Sequence, residues 1–156
     1  MPVPTPSITA FFPCYNDAQT IGELVLEADR QLQMLTADYE IVVVNDGSAD
    51  ASAEVLRALQ ARVPALKVVT HPTNRGYGGA LRSGFASATK EVVFYTDGDG
   101  QYDVKELPVL LMLLTDDTHF VNGIKMSRHD PPHRVFAGNL HGFLMRWCFW
   151  LPDCRV

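Results

Sequence analysis

The chain has 156 residues, of which 47% are hydrophobic and 20% charged, which describes a globular domain rather than a disordered chain. A formal net charge of −5 argues against a protein built to bind nucleic acid. The sequence has no signal-peptide pattern at its start and no apolar run of the ~18 residues that a bilayer-spanning helix needs. Three scattered cysteines without a Cys-x-x-Cys pair suit a reducing compartment, so we expect a cytoplasmic domain.

Strands and helices are predicted to alternate along the chain. Residues 8–12 predict a strand, and 18–35 predict a helix, since apolar residues recur there at helical spacing. Asn16 and Gln19 form a candidate capping pair for that helix. The remaining predicted elements are a strand at 39–44, a helix at 51–62, a strand at 66–70, a helix at 76–88, a strand at 91–95, a helix at 106–114 with a capping box from Asp103 and Glu106, and a strand at 120–125.

This order predicts an α/β fold with a mostly parallel, Rossmann-like sheet and helices on both faces. Such sheets bind ligands at the carboxyl ends of their strands, near the point where the strand order reverses. That rule selects three loops, at residues 13–17, 45–48 and 97–101. We expect residues 1–156 to form one domain around this site.

Carboxylates follow three of the predicted strands. Asp17, Asp46 and the Asp97-Gly98-Asp99 cluster would lie together at the carboxyl edge, where their charge needs a compensating cation. Oxygen ligands suit Mg²⁺ or Mn²⁺, and Asp99, Gln101 and a diphosphate would complete such a site. An isolated Asp-Gly-Asp-Gly would be read as a turn. Its place after a strand, with acids at two other strand ends, favours a metal and ligand site.

Three motifs together resemble a known family. Phe-Pro-Cys-Tyr-Asn-Asp at 12–17, Val-Val-Asn-Asp-Gly-Ser at 43–48 and Thr-Asp-Gly-Asp-Gly-Gln at 96–101 occur in the order and spacing of the family 2 glycosyltransferases with the GT-A fold. The sequence is most similar to the polyprenyl-phosphate (dolichol-phosphate) mannosyl- and glucosyltransferases. The resemblance covers roughly residues 7–156. Each motif alone is weakly specific, whereas the ordered set is strongly specific.

The resemblance implies roles for individual residues. Those that would bind the nucleotide sugar are Pro13, Tyr15, Asp17, Asp46, Asp97, Gly98 and Lys125. Among these, Asp46 would hydrogen-bond the base, Asp97 would face the ribose, and Lys125 would contact the diphosphate. Asp99 and Gln101 would bind the metal.

The acceptor side is implied less completely. Arg134 matches an arginine near the acceptor phosphate. The implied catalytic residues are therefore Arg134, on the acceptor side, and Asp99, which would bind the metal. Gly138 stands where the family often has a serine, which puts a hydroxyl contact to the acceptor in doubt. The basic, histidine-containing segment 125–134 suits an anionic acceptor, and a solvated loop is the open alternative. Family members usually continue beyond the point where this sequence stops, so we expect the acceptor end to be truncated.

A glycine-rich segment at 71–80 resembles the turn that leads into the helix before the third motif. No Gly-Lys-Ser/Thr follows it, so it is not a Walker loop. We expect these glycines to let the helix start close to the sheet rather than to bind phosphate. Large apolar residues form a helical stripe over 135–151, which indicates either a peripheral contact with the cytosolic face of a membrane or a core helix.

The predicted activity is that of an inverting, metal-dependent hexosyltransferase. It would move a hexose from a UDP- or GDP-linked sugar to an acceptor such as a polyprenyl phosphate, whose charged phosphate needs little activation. Two alternatives stay open: a noncatalytic nucleotide-sugar-binding domain and a sugar nucleotidyltransferase. The latter is disfavoured because residues 13–17 replace the glycine-rich basic loop expected after its first strand. The sequence does not identify the sugar or the base.

Overall fold

The structure is a computed structural model that describes residues 5–98, 103–115 and 117–123. It contains two compact units, Met1–Val121 and Asn122–Val156. Only the first two residues of the second unit are described, so the fold and the site below belong to the first unit. The predicted membrane-contact segment 135–151, Cys148 and Cys154 lie outside the described residues.

Strands and helices alternate as the sequence predicts. The elements are β1 (Ile8–Cys14), α1 (Ile21–Leu35), β2 (Tyr39–Asp46), α2 (Ser52–Gln60), β3 (Leu66–His71), α3 (Tyr77–Ser87), β4 (Val92–Tyr95), a 3₁₀ turn (Val104–Glu106) and α4 (Leu107–Met112). No helix in these described parts of the chain is both long and apolar enough to cross a bilayer.

The four strands form one parallel sheet in the order β3-β2-β1-β4. Ile8 pairs with Tyr39 on one side of β1 and with Val92 on the other. The chain builds the sheet outward from β1 to β3 and then crosses back to place β4 on the other side of β1. The strand order therefore reverses between β1 and β4, which is where an open parallel sheet binds ligands. The predicted α/β architecture is confirmed.

Helices cover both faces of the sheet. On one face, alternate β1 residues such as Ile8 and Phe12 pack with α1, α2 and the start of α4. On the other face, Phe11 and Val42 pack with Ala80 of α3. Side chains alternate between the faces of a strand, so a central strand covered on both sides must be apolar nearly throughout. Strand β2 shows this pattern at residues 41–44, which are all apolar and buried, while the buried residues at 40, 45 and 46 are polar.

The main helix of the first face buries the stripe that its sequence predicts. Its fully or nearly buried residues are Ile21, Leu24, Val25, Ala28 and Leu32. Burying a leucine or isoleucine side chain contributes roughly 1.5–3 kcal/mol, so this stripe is enough to hold α1 against the sheet.

A buried carboxylate, that of Glu40, lies near the amino-terminal end of β2 on the face of the sheet that packs against α3. Glu40 accepts hydrogen bonds at one oxygen from the Thr9 hydroxyl and the Thr89 N–H, both at 2.7 Å. Its second oxygen accepts from the Thr89 hydroxyl at 2.9 Å and from Lys67. Burial would raise the pKa of Glu40, but these bonds, led by that from Lys67, lower the pKa to about 2. Glu40 thus holds the segment that leads into β4 against the sheet.

Two predicted helix starts differ from the structure. α1 begins at Ile21, and its N-cap is Thr20 rather than a residue of the predicted Asn16–Gln19 pair. Asn16 instead adopts a φ of 57° in the loop after β1, where its side chain bonds a neighbouring loop. Before α4, Asp103 does act as a cap, accepting from the Lys105 N–H at 3.0 Å, but this cap begins the 3₁₀ turn.

The predicted strand at 120–125 is wrong over its described part. Residues 120–123 form no strand, and Phe120 is 81% exposed. The sequence contains Asn122-Gly123, a pair that favours turns and weakens a strand. Residues 124 and 125 lie outside the described part of the chain.

The close approach of α3 to the sheet depends on Gly84, which lies beyond the glycine-rich segment 71–80 that was expected to provide it. A Cβ on Gly84 would lie 2.0 Å from the Phe11 ring, whereas one on Gly78 would meet nothing within 4 Å. Phe11 in turn packs its ring against Phe85 and Tyr95, with centroids 5.4 Å away in each case. The glycine at 84 therefore sets the distance between α3 and β1.

Candidate functional site

A pocket of about 350 Å³ opens at the carboxyl edge of the sheet, where the strand order reverses. Its walls come from the ends of β1, β2 and β4 and from the start of α3. The lining residues are Pro13, Cys14, Tyr15, Asp17, Asp46, Asn74, Tyr77, Ala80, Asp97 and Gly98.

The three loops selected from the sequence therefore meet at one pocket. Six of the predicted nucleotide-sugar residues line it: Pro13, Tyr15, Asp17, Asp46, Asp97 and Gly98. The other predicted site residues, namely Asp99, Gln101, Lys125 and Arg134, lie outside the described residues. Their roles, and those of the six, stay predictions.

Reciprocal hydrogen bonds hold the loop after β1 against the loop after β2. The Asn16 N–H donates to the Ser48 hydroxyl at 3.0 Å, and the Asn16 side-chain oxygen accepts from the Ala49 N–H at 2.9 Å. The φ of 57° at Asn16 makes both bonds possible, and asparagine tolerates this left-handed conformation better than most residues. The two loops are therefore held together along one side of the pocket.

Asp17 is fixed on that side of the pocket. Its carboxylate accepts from the Tyr15 N–H at 3.0 Å, and its own N–H donates to the Ser52 hydroxyl at 3.2 Å. The ring of Tyr15 stays half exposed at the pocket. An exposed aromatic ring beside fixed backbone can stack on a planar ligand.

Gly98 lies where the loops after β1 and β4 come closest. A Cβ at this position would be 2.2 Å from the carbonyl oxygen of Pro13, so only glycine fits without moving the backbone. The Gly98 carbonyl accepts from the Thr20 hydroxyl at 3.1 Å. The glycine of the Asp97-Gly98-Asp99 cluster is thus required by packing between the two loops.

Asp46 is buried at the end of β2, yet it lines the pocket. Its Oδ1 accepts from the ring Nδ1 of His71 at 2.6 Å and from the Arg75 N–H at 2.9 Å. Burial alone would raise the pKa of Asp46, but the bonds from His71 and Arg75 lower it below the usual value. The carboxylate is therefore held as an anion at the pocket.

Asp97 meets two tyrosine hydroxyls at the end of β4. Its Oδ1 accepts from Tyr77 at 2.7 Å and from Tyr95 at 3.0 Å, and the two hydroxyl oxygens are in contact with each other. Burial, together with these bonds to Tyr77 and Asp97, raises the pKa of the Tyr95 hydroxyl. The Tyr95 hydroxyl therefore stays protonated and can donate to the carboxylate.

Three carboxylates, those of Asp17, Asp46 and Asp97, line the pocket together. Across residues 5–98, 103–115 and 117–123, no group of three or more His, Cys, Asp or Glu side chains could hold a metal ion. The described carboxylates are instead engaged as hydrogen-bond acceptors, which suits donor groups such as base N–H and sugar hydroxyl groups.

Several lining residues were missed from the sequence, namely Cys14, Asn74, Tyr77 and Ala80. Cys14 continues β1 beyond its predicted end. The others lie at the start of α3 or just before it, in the segment that the sequence assigned to packing. Their signal was the position of that segment after β3, since β3 neighbours β2 in the sheet.

Comparison with known proteins places the chain in a family. The family model described as glycosyl transferase family 2 matches residues 9–148. The chain belongs to this family, and its sheet and helices are those of the GT-A fold. The predicted resemblance is confirmed.

Individual relatives agree with this assignment. The undecaprenyl-phosphate 4-deoxy-4-formamido-L-arabinose transferase of Sodalis glossinidius is 31% identical over 147 residues, which are 93% of this chain and 45% of that protein. The mannosyltransferase PcManGT from Pyrobaculum calidifontis, solved in complex with GDP-Man and Mn²⁺, is 28% identical with a TM-score of 0.57, covering 67% of this chain and 31% of that one. S. aureus TarS in complex with UDP-GlcNAc is 27% identical with a TM-score of 0.53, covering 60% and 26%.

The chain thus spans less than half the length of the curated relatives it matches. The similarity to polyprenyl-phosphate sugar transferases is confirmed, although the sugar in the names of these relatives is a formamido-arabinose rather than mannose or glucose.

Proposed function

We propose that this chain contains the donor-binding, catalytic domain of an inverting hexosyltransferase that uses a UDP- or GDP-linked sugar and a polyprenyl-phosphate acceptor. The observation that carries the proposal is a pocket at the reversal of strand order, lined by Asp46 and Asp97, in a chain of glycosyl transferase family 2. PcManGT with GDP-Man and TarS with UDP-GlcNAc support the donor class. The undecaprenyl-phosphate relatives support the acceptor class.

The state of Asp46 favours particular bases. An ionised carboxylate only accepts hydrogen bonds, so it pairs with a ring N–H such as those of uracil and guanine. Adenine and cytosine present an unprotonated ring nitrogen at the corresponding position, which a carboxylate repels. Asp46 thus supports UDP- or GDP-linked donors over ADP- or CDP-linked ones.

The other pocket walls suit the rest of a nucleoside. Asp97 already accepts from two hydroxyls, and ribose hydroxyls are donors of the same kind. The half-exposed ring of Tyr15 offers a surface for the base. Pro13, Asp17 and Gly98 would shape the ribose side of the pocket.

A divalent ion would reconcile the acidic pocket with an anionic diphosphate. Three carboxylates line the pocket, so a diphosphate placed there needs a cation. Hard oxygen ligands suit Mg²⁺ or Mn²⁺, which commonly take only one or two protein carboxylates, and Asp99 with Gln101 would supply them. When bound, the ion neutralises charge on the leaving diphosphate. Lys125 would add a second positive charge.

The acceptor half rests on residues outside the described part of the chain. Arg134 would bind the acceptor phosphate, which attacks the sugar from the face opposite the diphosphate and so inverts the anomeric carbon. A lipid-linked acceptor also suits a peripheral membrane contact through 135–151 on the cytosolic face.

Calorimetry tests the donor site. UDP- and GDP-sugars are titrated into the chain with and without Mn²⁺, with ADP- and CDP-sugars as controls. We expect binding of a uracil or guanine donor, strengthened by Mn²⁺, and loss of the Mn²⁺ effect in Asp99→Ala. A folded sample that binds none of these nucleotides contradicts the proposal.

Transfer separates an enzyme from a binding module. The full chain is mixed with the donor that it binds and a short-chain polyprenyl phosphate, and the glycolipid product is measured. We expect product with inverted anomeric configuration and a strong loss of rate in Arg134→Ala. Donor binding without transfer by the full-length protein would instead support a noncatalytic nucleotide-sugar-binding domain.

A further inference from the structure

His71 is a buried histidine that the proposed reaction does not use. It ends β3, is 4% exposed, and pairs in register with Asp46 at the end of β2. Paired residues of neighbouring strands point to the same face of the sheet. The imidazole is therefore placed beside the Asp46 carboxylate by the strand register itself.

Both ring nitrogens of His71 are engaged. Nδ1 lies 2.6 Å from Asp46 Oδ1, and Nε2 lies 2.8 Å from the Ser83 hydroxyl oxygen in α3. Asp46 Oδ1 also accepts from the Arg75 N–H, so this oxygen is an acceptor and His71 Nδ1 is the donor. In the neutral ring, Nε2 then accepts from the Ser83 hydroxyl, which fixes the tautomer.

These contacts connect Ser, His and Asp in the sequence of a hydrolytic triad, but the geometry does not allow that chemistry. Of the three residues, only Asp46 lines the pocket. Ser83 lies within α3, and its hydroxyl meets a histidine that is almost fully buried. A nucleophile must reach its substrate, so Ser83 and His71 can act on a ligand only through Asp46.

We propose that His71 is a positioning residue that, braced by Ser83, fixes the Asp46 carboxylate for recognition of the donor base. The inference rests on the proposed function, since Asp46 reads a base only if the pocket binds a nucleotide. With Oδ1 held by two donors, the carboxylate does not need to be ordered when the ligand binds, and preorganisation of this kind raises affinity. The same bonds keep Asp46 ionised at neutral pH.

Two amide substitutions separate the functions of the ring nitrogens. The side-chain amide nitrogen of asparagine lies near the position of histidine Nδ1, so His71→Asn can still donate to Asp46. The longer His71→Gln places its amide near Nε2, so it can reach Ser83 but leaves Asp46 without this donor. His71→Leu removes both contacts at similar volume.

The test measures dissociation constants for UDP and GDP by calorimetry, beside thermal unfolding of each variant. We expect His71→Leu and His71→Gln to weaken the preferred nucleotide about tenfold or more, while His71→Asn stays within about threefold of wild type. Ser83→Ala, which removes only the brace, should fall between them. Glu40→Gln is the matched control, since it removes bonds to a buried carboxylate at the opposite end of β2 and should lower stability without changing affinity.

The outcomes are distinguishable. Asparagine rescue of affinity without a matching rescue of unfolding temperature supports positioning. Unchanged affinity in His71→Leu overturns the inference, as does affinity that follows unfolding temperature across all variants, including Glu40→Gln. If the folded wild type binds neither nucleotide, the proposed function itself fails and the inference fails with it.

Discussion

Strand β2 carries a buried carboxylate near each end, Glu40 and Asp46, on the same face of the sheet. Both have a lowered pKa, and both are held by hydrogen bonds. At Glu40 the chain itself supplies donors to both oxygens. At Asp46 the side-chain and backbone donors at His71 and Arg75 both meet Oδ1, and the residue lines a pocket.

The difference separates two uses of the same chemistry. Through bonds from Thr9 and Lys67, Glu40 joins β2 to β1 and β3, and through Thr89 it also holds the segment before β4, so its interactions stabilise the fold. Asp46 is ionised and oriented by donors from the chain, and it also lines the pocket, where it can meet a ligand. Burial and a lowered pKa alone therefore do not identify a binding residue; the place of the acceptor relative to the pocket does.

The largest expected effect is on the free energy of unfolding and comes from removing the charge of Glu40. The pKa of Glu40 falls from 4.5 to about 2 on folding, and each pKa unit is worth about 1.4 kcal/mol, so its ionisation contributes about 3.5 kcal/mol. The folded pKa is lowered, so this stability is complete above about pH 5 and is lost as the pH falls toward 2. Urea unfolding at pH 7 and at pH 3 measures it.

We expect Glu40→Gln to lower the free energy of unfolding at pH 7 by an amount near this value and to flatten the pH dependence of stability. The neutral amide cannot accept at both ends of the side chain, so it leaves at least one buried donor unpaired. An unchanged slope of stability against pH between 5 and 3 in Glu40→Gln would contradict the assignment.

A smaller effect, on affinity rather than stability, is expected at the other end of β2. Asp46→Asn keeps an oxygen that can accept from His71 and Arg75 but replaces the other oxygen with a donor, which repels a base N–H. Hydrogen bonds to a charged group are worth about 1.5–3 kcal/mol, so UDP or GDP affinity should fall roughly 10- to 100-fold. Calorimetry and thermal unfolding should show the affinity loss with little change in unfolding temperature.

Glu40→Gln and Asp46→Asn together make the contrast quantitative. The first should change stability and leave affinity intact; the second should do the reverse. If both variants lose stability and affinity in the same proportion, the two ends of β2 do not differ in the way proposed.

The smallest expected effect on the free energy of unfolding concerns the tyrosine hydroxyls that contact Asp97 at the end of β4. Tyr77→Phe removes one of the two hydroxyls that donate to Asp97 and keeps the ring. Tyr77 is 57% exposed, so water can replace the lost donor, and the free energy of unfolding should change by less than about 1 kcal/mol. Denaturant unfolding measures this, with Tyr95→Phe as the less exposed counterpart. A loss larger than that of Glu40→Gln would show that the Asp97 cluster is structural.

Local patterns in the sequence were enough for the elements. The buried stripe of α1 and the apolar run at 41–44 in β2 follow from side-chain periodicity, which depends only on neighbours along the chain. The predicted strand at 120–125 is wrong over residues 120–123, where the Asn122-Gly123 turn signal outweighs the neighbouring apolar residues. α1 begins later than predicted. The Asn16 side chain, expected to cap this helix, instead accepts a hydrogen bond from Ala49 in the loop after β2, which is distant in sequence.

The α/β order and the three loops of the pocket could be predicted from the sequence, because strand ends and turn residues are local features that a parallel sheet gathers at one edge. The six predicted residues that line the pocket came from the family resemblance. The hydrogen-bond partners of each carboxylate could not be predicted in this way. His71 reaches Asp46 through the register between β2 and β3, and Ser83 reaches His71 through the packing of α3. Register and packing are set by contacts distant in sequence, and no local pattern encodes them.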